Sequence, residues 1–327
     1  GTFKIIYPGG EVDLAMARRE IYPAPAALPR VEPASIEEDL YRRDFTANAM
    51  AVALSGPRQG RLLDPFSGLA DLRRGVLRVL HLNSFVDDPT RIFRAGRYAV
   101  RFRWALAEET LQALGRAYRT EAPRRLSPAR ILGEIKRILE EPDPENVLRC
   151  LEIMGLWLAL ELPPPPGHFA SLWPILRRNL SPKTLLKGVA IALARGKPHL
   201  LLRLGLQPGE VEKYSRSWED LCRHSPELAG APSPSRRYRL LETYPPEIIC
   251  AYFLHHKELE YIAKEYFELK NITTEISGKD LKRELGLTSG PLLGRILREV
   301  FYARLDGRVK SREDELRLAR ELLAKEG

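Results

Sequence analysis

The chain has 327 residues, 44% hydrophobic and 29% charged, which is enough for two or more domains with sizeable cores. Its formal net charge of +9 suits an anionic partner, nucleic acid being the commonest, although a basic surface alone does not require one. No run of about 18 apolar residues offers a membrane span, the first residues lack a signal peptide's basic and apolar regions, and Cys150, Cys222 and Cys250 are too scattered for a disulfide framework. Sparse thiols of this kind point to a cytoplasmic protein. The histidines include one close pair, His255 and His256, and no metal-ligand spacing, so no structural metal is expected.

In chain order, residues 2–7 (TFKIIY) and 11–17 (EVDLAMA) predict a β-hairpin about the turn Pro8-Gly9-Gly10. A Pro-rich loop is expected over 22–34. Residues 35–43 read as a short helix, with Ser35 as N-cap and Glu38 at the capping-box position. Residues 48–54 read as a strand, 60–64 as its hairpin partner, 70–75 as a turn or short helix, and 76–80 as a further strand. These predict a small α+β unit with an antiparallel sheet. Strand signals nearly vanish after residue 86. On a helix from Arg91, Ile92, Ala95, Ala99 and Phe102 share one side, and Arg94, Arg97 and Arg101 another. Ser127-Pro128 is an N-cap and first-turn pair ahead of Ile131, Ile135 and Ile138. Asp143-Pro144 starts a helix over 144–160, Pro163 to Pro166 make a stiff break, and Ser181-Pro182 and Pro245-Pro246 mark later helix starts.

Three segments carry chemistry. In Arg42-Arg43-Asp44-Phe45-Thr46-Ala47-Asn48-Ala49, two adjacent guanidiniums can grip phosphates and Asp44 can accept from ribose hydroxyls. The alternative is a helix C-terminus with favourable cations. In Asp64-Pro65-Phe66-Ser67-Gly68-Leu69-Ala70-Asp71-Leu72, Asp64 can hold an Asx turn, with Gly68 at positive φ and Asp71 capping the segment after it. In Asp87-Asp88-Pro89-Thr90-Arg91, Asp88 and Arg91 are helical neighbours. They are either a surface ion pair worth roughly 0–1 kcal/mol, or an acceptor and donor matched to the amine and ring nitrogen that adenine and cytosine share.

RRDFTANA, DPFSGLADL and DDPTRIFRAGRYAVRF, in this order and spacing, resemble the class II tRNA nucleotidyltransferases and their bacterial poly(A) polymerase relatives. GEVDLAMARREIY, SIEEDL, LSPARILGEIKRIL and the C-terminal SGKDLKRELGLTSGPLLGRILREV match as well, though the likeness is weak between about 165 and 270. The resemblance implies an α+β fold: an incomplete nucleotidyltransferase head with a small antiparallel sheet over 1–84, a helical neck for base recognition over 85–162, and a helical, tRNA-binding body and tail over 163–327. It implies transfer of CMP or AMP from CTP or ATP to a tRNA 3′ end with release of pyrophosphate. Arg42 and Arg43 would contact the triphosphate or organise the site, Asp44 would read the ribose 2′ hydroxyl, and Asp88 and Arg91 the base edge. Arg94 and Arg97 would face the nucleotide pocket or the tRNA end, and Asn48 belongs to the same nucleotide-binding set. Asp64, Gly68 and Asp71 would brace the head. Two departures stand out: Asp87, where Glu is common, and Gly96, where a bulkier residue is usual and glycine costs about 1 kcal/mol of helix propensity.

The family's Mg2+ chemistry needs a DxD carboxylate pair behind a Gly-Gly loop. Neither is found, so its ligands are expected in an N-terminal segment missing from this chain, which is expected to be inactive as it stands. Glu11 and Asp13 share a strand face, and Asp13 is either an accessory carboxylate or a solvated strand residue. Arg124, Arg125, Arg130, Lys136, Arg137, Arg177, Arg178, Lys183 and Lys187 are candidate RNA contacts or plain surface cations. Gly286–Gly294 is either a phosphate-binding helix start or a plain helical corner. A poly(A) polymerase tailing other RNAs, or a non-catalytic RNA-binding module, is the alternative to tRNA end addition.

Overall fold

The computed structural model describes residues 2–167, 170–287 and 290–325. Pro8-Gly9 turns the chain between Thr2–Tyr7 (β1) and Gly10–Ala15 (β2), which pair antiparallel with Lys4 opposite Asp13 and Ile6 opposite Glu11. The stretch 22–34 is not all loop. Arg30–Pro33 (β4) pairs antiparallel with Arg18–Ile21 (β3), with Pro33 at the strand end where its missing N–H costs least. Ile36–Tyr41 (α1) carries the expected capping box, Ser35 Oγ accepting from the Glu38 N–H and the Glu38 carboxylate from the Ser35 N–H.

The strand expected over 48–54 is cut short. Thr46–Asn48 forms a 3₁₀ turn, and only Ala51–Val52 (β5) pairs with Leu62–Leu63 (β6), two residues of the expected 60–64. The Asp44 carboxylate accepts from the Phe45 N–H and Asn48 Nδ2, local bonds that compete with a ladder. After Gly68–Arg74 (α2), only Val76–Leu77 (β7) of 76–80 is strand, and it pairs parallel with Ala105–Leu106 (β8), a strand that the sequence did not announce. The sheets are thus small and mostly antiparallel, and helices dominate the rest.

Ser84–Asp87 (α3), Thr90–Phe102 (α4), Glu108–Arg119 (α5), Pro128–Leu139 (α6), Pro144–Ile153 (α7) and Leu156–Ala159 (α8) follow. Gly155, at φ +79°, ends the helix expected to run to 160. On α6, Ile131, Ile135 and Ile138 are buried as their spacing predicts. The inward face of α4 is rotated from expectation: Ile92 and Ala95 are buried, but so are Arg91, Phe93 and Gly96, while Phe102 is half exposed. Gly96 explains the close packing here. A Cβ at that position would lie 2.5 Å from Leu151 Cδ2 of α7, so the absent side chain is the space the neighbouring helix fills.

The chain divides into two compact units, 1–167 with 199–207, and 168–198 with 208–327. Within the first, Arg203 donates to the carbonyls of Leu126 (2.6 Å) and Arg124 (2.8 Å), fastening the returning segment. The second unit is helical. Helix Pro182–Ala194 runs against Pro246–His255, where a Cβ on Gly188 would stand 2.6 Å from Cys250 Sγ. Helices Gly278–Leu285, Pro291–Leu305 and Arg312–Ala324 bury Ile276, Leu281, Ile296, Val300, Leu316 and Ala319. No helix among the described residues is long and apolar enough to cross a membrane.

Candidate functional site

α1 ends at Arg42, which caps it, and the chain there turns toward α4. Asp39, buried in the last turn of α1, accepts from Arg42 Nε (3.0 Å), Arg43 Nη2 (3.0 Å) and the Arg18 N–H (3.2 Å). Burial alone would raise the Asp39 carboxyl, but these donors outweigh it and hold it below the usual range. Arg42 also donates to Glu20 (2.9 Å), whose second oxygen accepts from the Tyr22 hydroxyl (2.8 Å). The adjacent guanidiniums are therefore fixed by carboxylates behind them, Arg43 remaining the more exposed.

Asp44 is buried and accepts from Arg94 Nε of α4 at 2.6 Å, and Arg94 Nη2 donates to the Tyr98 hydroxyl (2.7 Å). Burial opposes the Arg94 charge, but the Asp44 carboxylate more than restores it. Asp88 does not share a helix with Arg91. It is extended (φ −135°) ahead of Pro89, as a residue before proline is pushed to be, and its Oδ1 accepts from the Thr90 N–H (3.0 Å), Thr90 Oγ1 (2.6 Å) and Arg130 Nη2 (2.5 Å). Arg91 is buried, and donates to Ser84 Oγ (2.7 Å) and the Arg42 carbonyl.

Arg42, Arg43, Asp44, Asn48, Asp88, Arg91, Arg94 and Arg137 converge, with Glu20, Tyr22, Thr90, Tyr98 and Glu134, on one open cavity of about 550 Å3. Five arginines face four carboxylates around it, a polar, slightly cationic lining with volume enough for a nucleotide. Sequence reasoning missed Glu20, Tyr22, Tyr98 and Glu134. Glu134 did leave a signal: it lies three residues after Ile131 and four before Ile138, a carboxylate on an inward stripe.

Other candidates fall elsewhere. Arg97 and Arg101 both donate to buried Glu141, Arg97 at 2.7 Å, so Arg97 braces α4. Asp64 accepts from the Gly68 (2.6 Å) and Leu69 (3.0 Å) amides, the expected turn. It is Ser67, not Gly68, that takes positive φ (57°); Gly68 is needed because a Cβ would sit 2.1 Å from the Thr46 carbonyl oxygen. Asp71 does not cap; inside α2 and buried, it accepts from Thr46 Oγ1 (2.7 Å) and Arg78 Nε (3.1 Å). Arg124 pairs with Glu121 and Glu161, Arg130 with Asp88 and the Ala26 carbonyl, and Arg137 with Glu134. Arg125 and Lys136 are exposed in the first unit; Arg177, Arg178 and Lys183 are exposed on helices of the second, where Lys187 pairs with Glu210. The 286–294 segment lies partly outside the described residues.

For a divalent cation the fit is poor. Asp13 and Glu11 are exposed on β2, with Lys4 Nζ 2.8 Å from Glu11 and 3.9 Å from Asp13. Among the described residues no group of three or more His, Cys, Asp or Glu is placed to hold a metal ion.

Fold and site together define a protein with a small α+β head leading into helices, and a polar, arginine-rich cavity where the two meet. The family described as Poly A polymerase head domain matches residues 1–78. An A-adding tRNA nucleotidyltransferase of Geobacter sulfurreducens is 32% identical across 98% of this chain and 39% of its own length. One from Halalkalibacterium halodurans is 31% identical across 95% of this chain and 74% of its own. Among solved structures, a Thermotoga maritima CCA-adding enzyme complexed with tRNA superposes with a TM-score of 0.74 at 28% identity, over 100% of this chain and 79% of that one. The chain belongs to the class II tRNA nucleotidyltransferase family, nucleotidyltransferases that include the CCA-adding and A-adding enzymes. It spans well under half the length of the Geobacter relative and about three quarters of the Halalkalibacterium one.

Proposed function

We propose that this chain carries the nucleotide-recognising and RNA-holding parts of a tRNA 3′-end nucleotidyltransferase, one that adds CMP or AMP from CTP or ATP. The observation that carries the reading is the convergence of Arg42–Asn48 with Asp88–Arg94 on one nucleotide-sized cavity, although about 40 residues separate them in sequence. In this reading Arg43, backed by Asp39, meets the triphosphate, and Arg42 organises the site through Glu20. Asp44 and Asn48 face the ribose. Asp88 and Arg91 face the base edge, Arg91 with a guanidinium already fixed at two points and three of its five N–H donors left over. Arg94 lies toward the nucleotide and Arg97 keeps its helix in place. Residues 1–84 act as head, 85–162 as neck, and 163–327 as body and tail, with Arg125, Arg177, Arg178 and Lys183 on RNA phosphates.

Equilibrium titration of the 327-residue chain with ATP, CTP, GTP and UTP tests the reading. Binding of ATP or CTP about tenfold or more tighter than GTP and UTP is expected, and Asp88→Ala or Arg91→Ala should erase the preference. Equal binding of all four nucleotides would count against base reading at this cavity. A tRNA ending before its CCA should bind more tightly than unstructured RNA of equal length; the reverse order would favour RNA tailing. The chain is expected to bind without joining nucleotide to RNA, because among the described residues no group of three or more His, Cys, Asp or Glu is placed to hold the metal ion; incorporation of labelled AMP or CMP with Mg2+ would overturn that.

A further inference from the structure

The carboxylates that line the cavity are not equally engaged. Glu20 accepts on both oxygens, from Arg42 and from Tyr22. Asp44 accepts on both, from Phe45 and Asn48 on one and Arg94 on the other. Asp88 already accepts three donors on Oδ1. Glu134 differs. It is 5% exposed, Arg137 Nη1 donates to its Oε1 at 2.5 Å, and its enclosed Oε2 has no hydrogen-bond partner. Arg97 Nη1 stands 3.8 Å from Oε2, beyond hydrogen-bond distance, and Arg97 is itself committed to Glu141 at 2.7 Å.

An enclosed, unpaired carboxylate oxygen is costly, and proteins retain few of them. Here it belongs to a residue on the wall of the cavity on which Arg42–Asn48 and Asp88–Arg94 converge. We infer that Glu134 is a ligand-contacting residue whose Oε2 accepts a hydrogen bond from an N–H or O–H donor of the bound nucleotide, either the exocyclic base amine or a ribose hydroxyl. The inference rests on the cavity being the nucleotide site. Burial raises the Glu134 carboxyl above its usual range, and Arg137, Arg97 and Arg94 pull it back against the neighbouring Asp88. A donor brought by the nucleotide acts in the same direction as those arginines and completes a shell the free protein leaves open.

The test is a cycle between protein and ligand. ATP, purine riboside triphosphate (no amine), 2′-deoxyATP and 3′-deoxyATP are titrated against the wild-type chain and Glu134→Gln, with thermal unfolding to verify that the variant is folded. The glutamine is isosteric. Arg137 needs an acceptor, so the amide oxygen faces it and the NH2 replaces Oε2, opposing the ligand's donor. One analogue should bind the wild type about tenfold or more weakly than ATP, the range for a hydrogen bond to a charged group, and that ratio should fall to within about threefold in Glu134→Gln. Which analogue responds identifies the donor. A merely structural glutamate would weaken all four ligands alike and leave every ratio unchanged, which overturns the inference while leaving the nucleotide site intact. If the wild-type chain binds no nucleotide at all, both readings fall.

Discussion

Gly96→Ala puts the packing of α4 on α7 to a quantitative test. On an isolated helix the substitution should stabilise by about 1 kcal/mol, because alanine gives up less backbone freedom than glycine. In this protein the new Cβ would lie 2.5 Å from Leu151 Cδ2 and 2.8 Å from Leu151 Cγ. Cγ is the branch point, so turning the terminal methyls does not clear the clash. Leu151 is fully buried and has no open space to swing into. Overpacking of this kind costs about 1–3 kcal/mol, leaving a net loss of up to about 2 kcal/mol once the helix gain is set against it. Leu151→Ala removes both clashing atoms at its own cavity cost of about 2–5 kcal/mol, and in that background Gly96→Ala should recover its gain of about 1 kcal/mol. The coupling between the two sites is then about 1–3 kcal/mol. Because the chain has two units, native-state hydrogen exchange on peptides from α4 and α7 is the suitable readout, since it reports opening of this region rather than a global average. A stabilising Gly96→Ala in the wild-type background, or a coupling below about 0.5 kcal/mol, would refute the close-packing account.

Asp71→Ala should cost about 2–3 kcal/mol by unfolding, since it strips a buried acceptor from Thr46 Oγ1 and Arg78 Nε; a cost under about 0.5 kcal/mol would show that the brace is idle. Burial, then the charge of Arg91, holds the His81 imidazole down to about 4, with Asp87 at 3.9 Å too distant for a hydrogen bond. The unfolded chain takes up that proton near pH 6.5 and the folded one does not, so stability should be unaffected above about 6.5 and fall toward pH 4, by on the order of 2–3 kcal/mol. His81→Gln should remove that part of the slope, and an unchanged slope in denaturant titrations between about pH 7 and 4.5 would contradict it. Arg43→Ala should weaken ATP binding about tenfold and flatten its salt dependence while leaving the melting temperature nearly unchanged, because Arg43 is exposed and its partner Asp39 keeps Arg42; a large loss of stability instead would assign it a structural role.

Local chemistry was the legible part of this sequence. Ser35 with Glu38, Asp143 ahead of Pro144 and Ser181 ahead of Pro182 cap their helices because a cap depends on three or four consecutive residues. The isoleucines of α6 were legible because their stripe has a period. What escaped depends on distant approach. Gly68 announces a turn, but its reason is the Thr46 carbonyl from another segment. Arg91 read either as half of a surface ion pair with Asp88 or as a base reader, and nothing local foretold its burial, in which Ser84 and the Arg42 carbonyl take up two of its donors. β8 was unreadable because a two-residue strand has too little pattern to register. Within the cavity, the family motifs led to Asp44, Asp88 and Arg94, whereas Glu20 and Tyr22, though inside the matching GEVDLAMARREIY, were given no role because a strand and loop pattern does not show that α4 is near.

The segment 199–207 has a bearing on how this protein can be divided. The polypeptide leaves its first unit at 167, travels through helices of the second, and comes back to be tied down by Arg203 before leaving again. A single cut therefore cannot separate the units cleanly. Truncation after 167 would leave the carbonyls of Leu126 and Arg124 without their guanidinium, directly ahead of α6 and therefore ahead of Glu134 and Arg137. Chimeras that exchange the second unit between relatives should carry 199–207 with the recipient's first unit. In that sense the chain is stitched rather than strung.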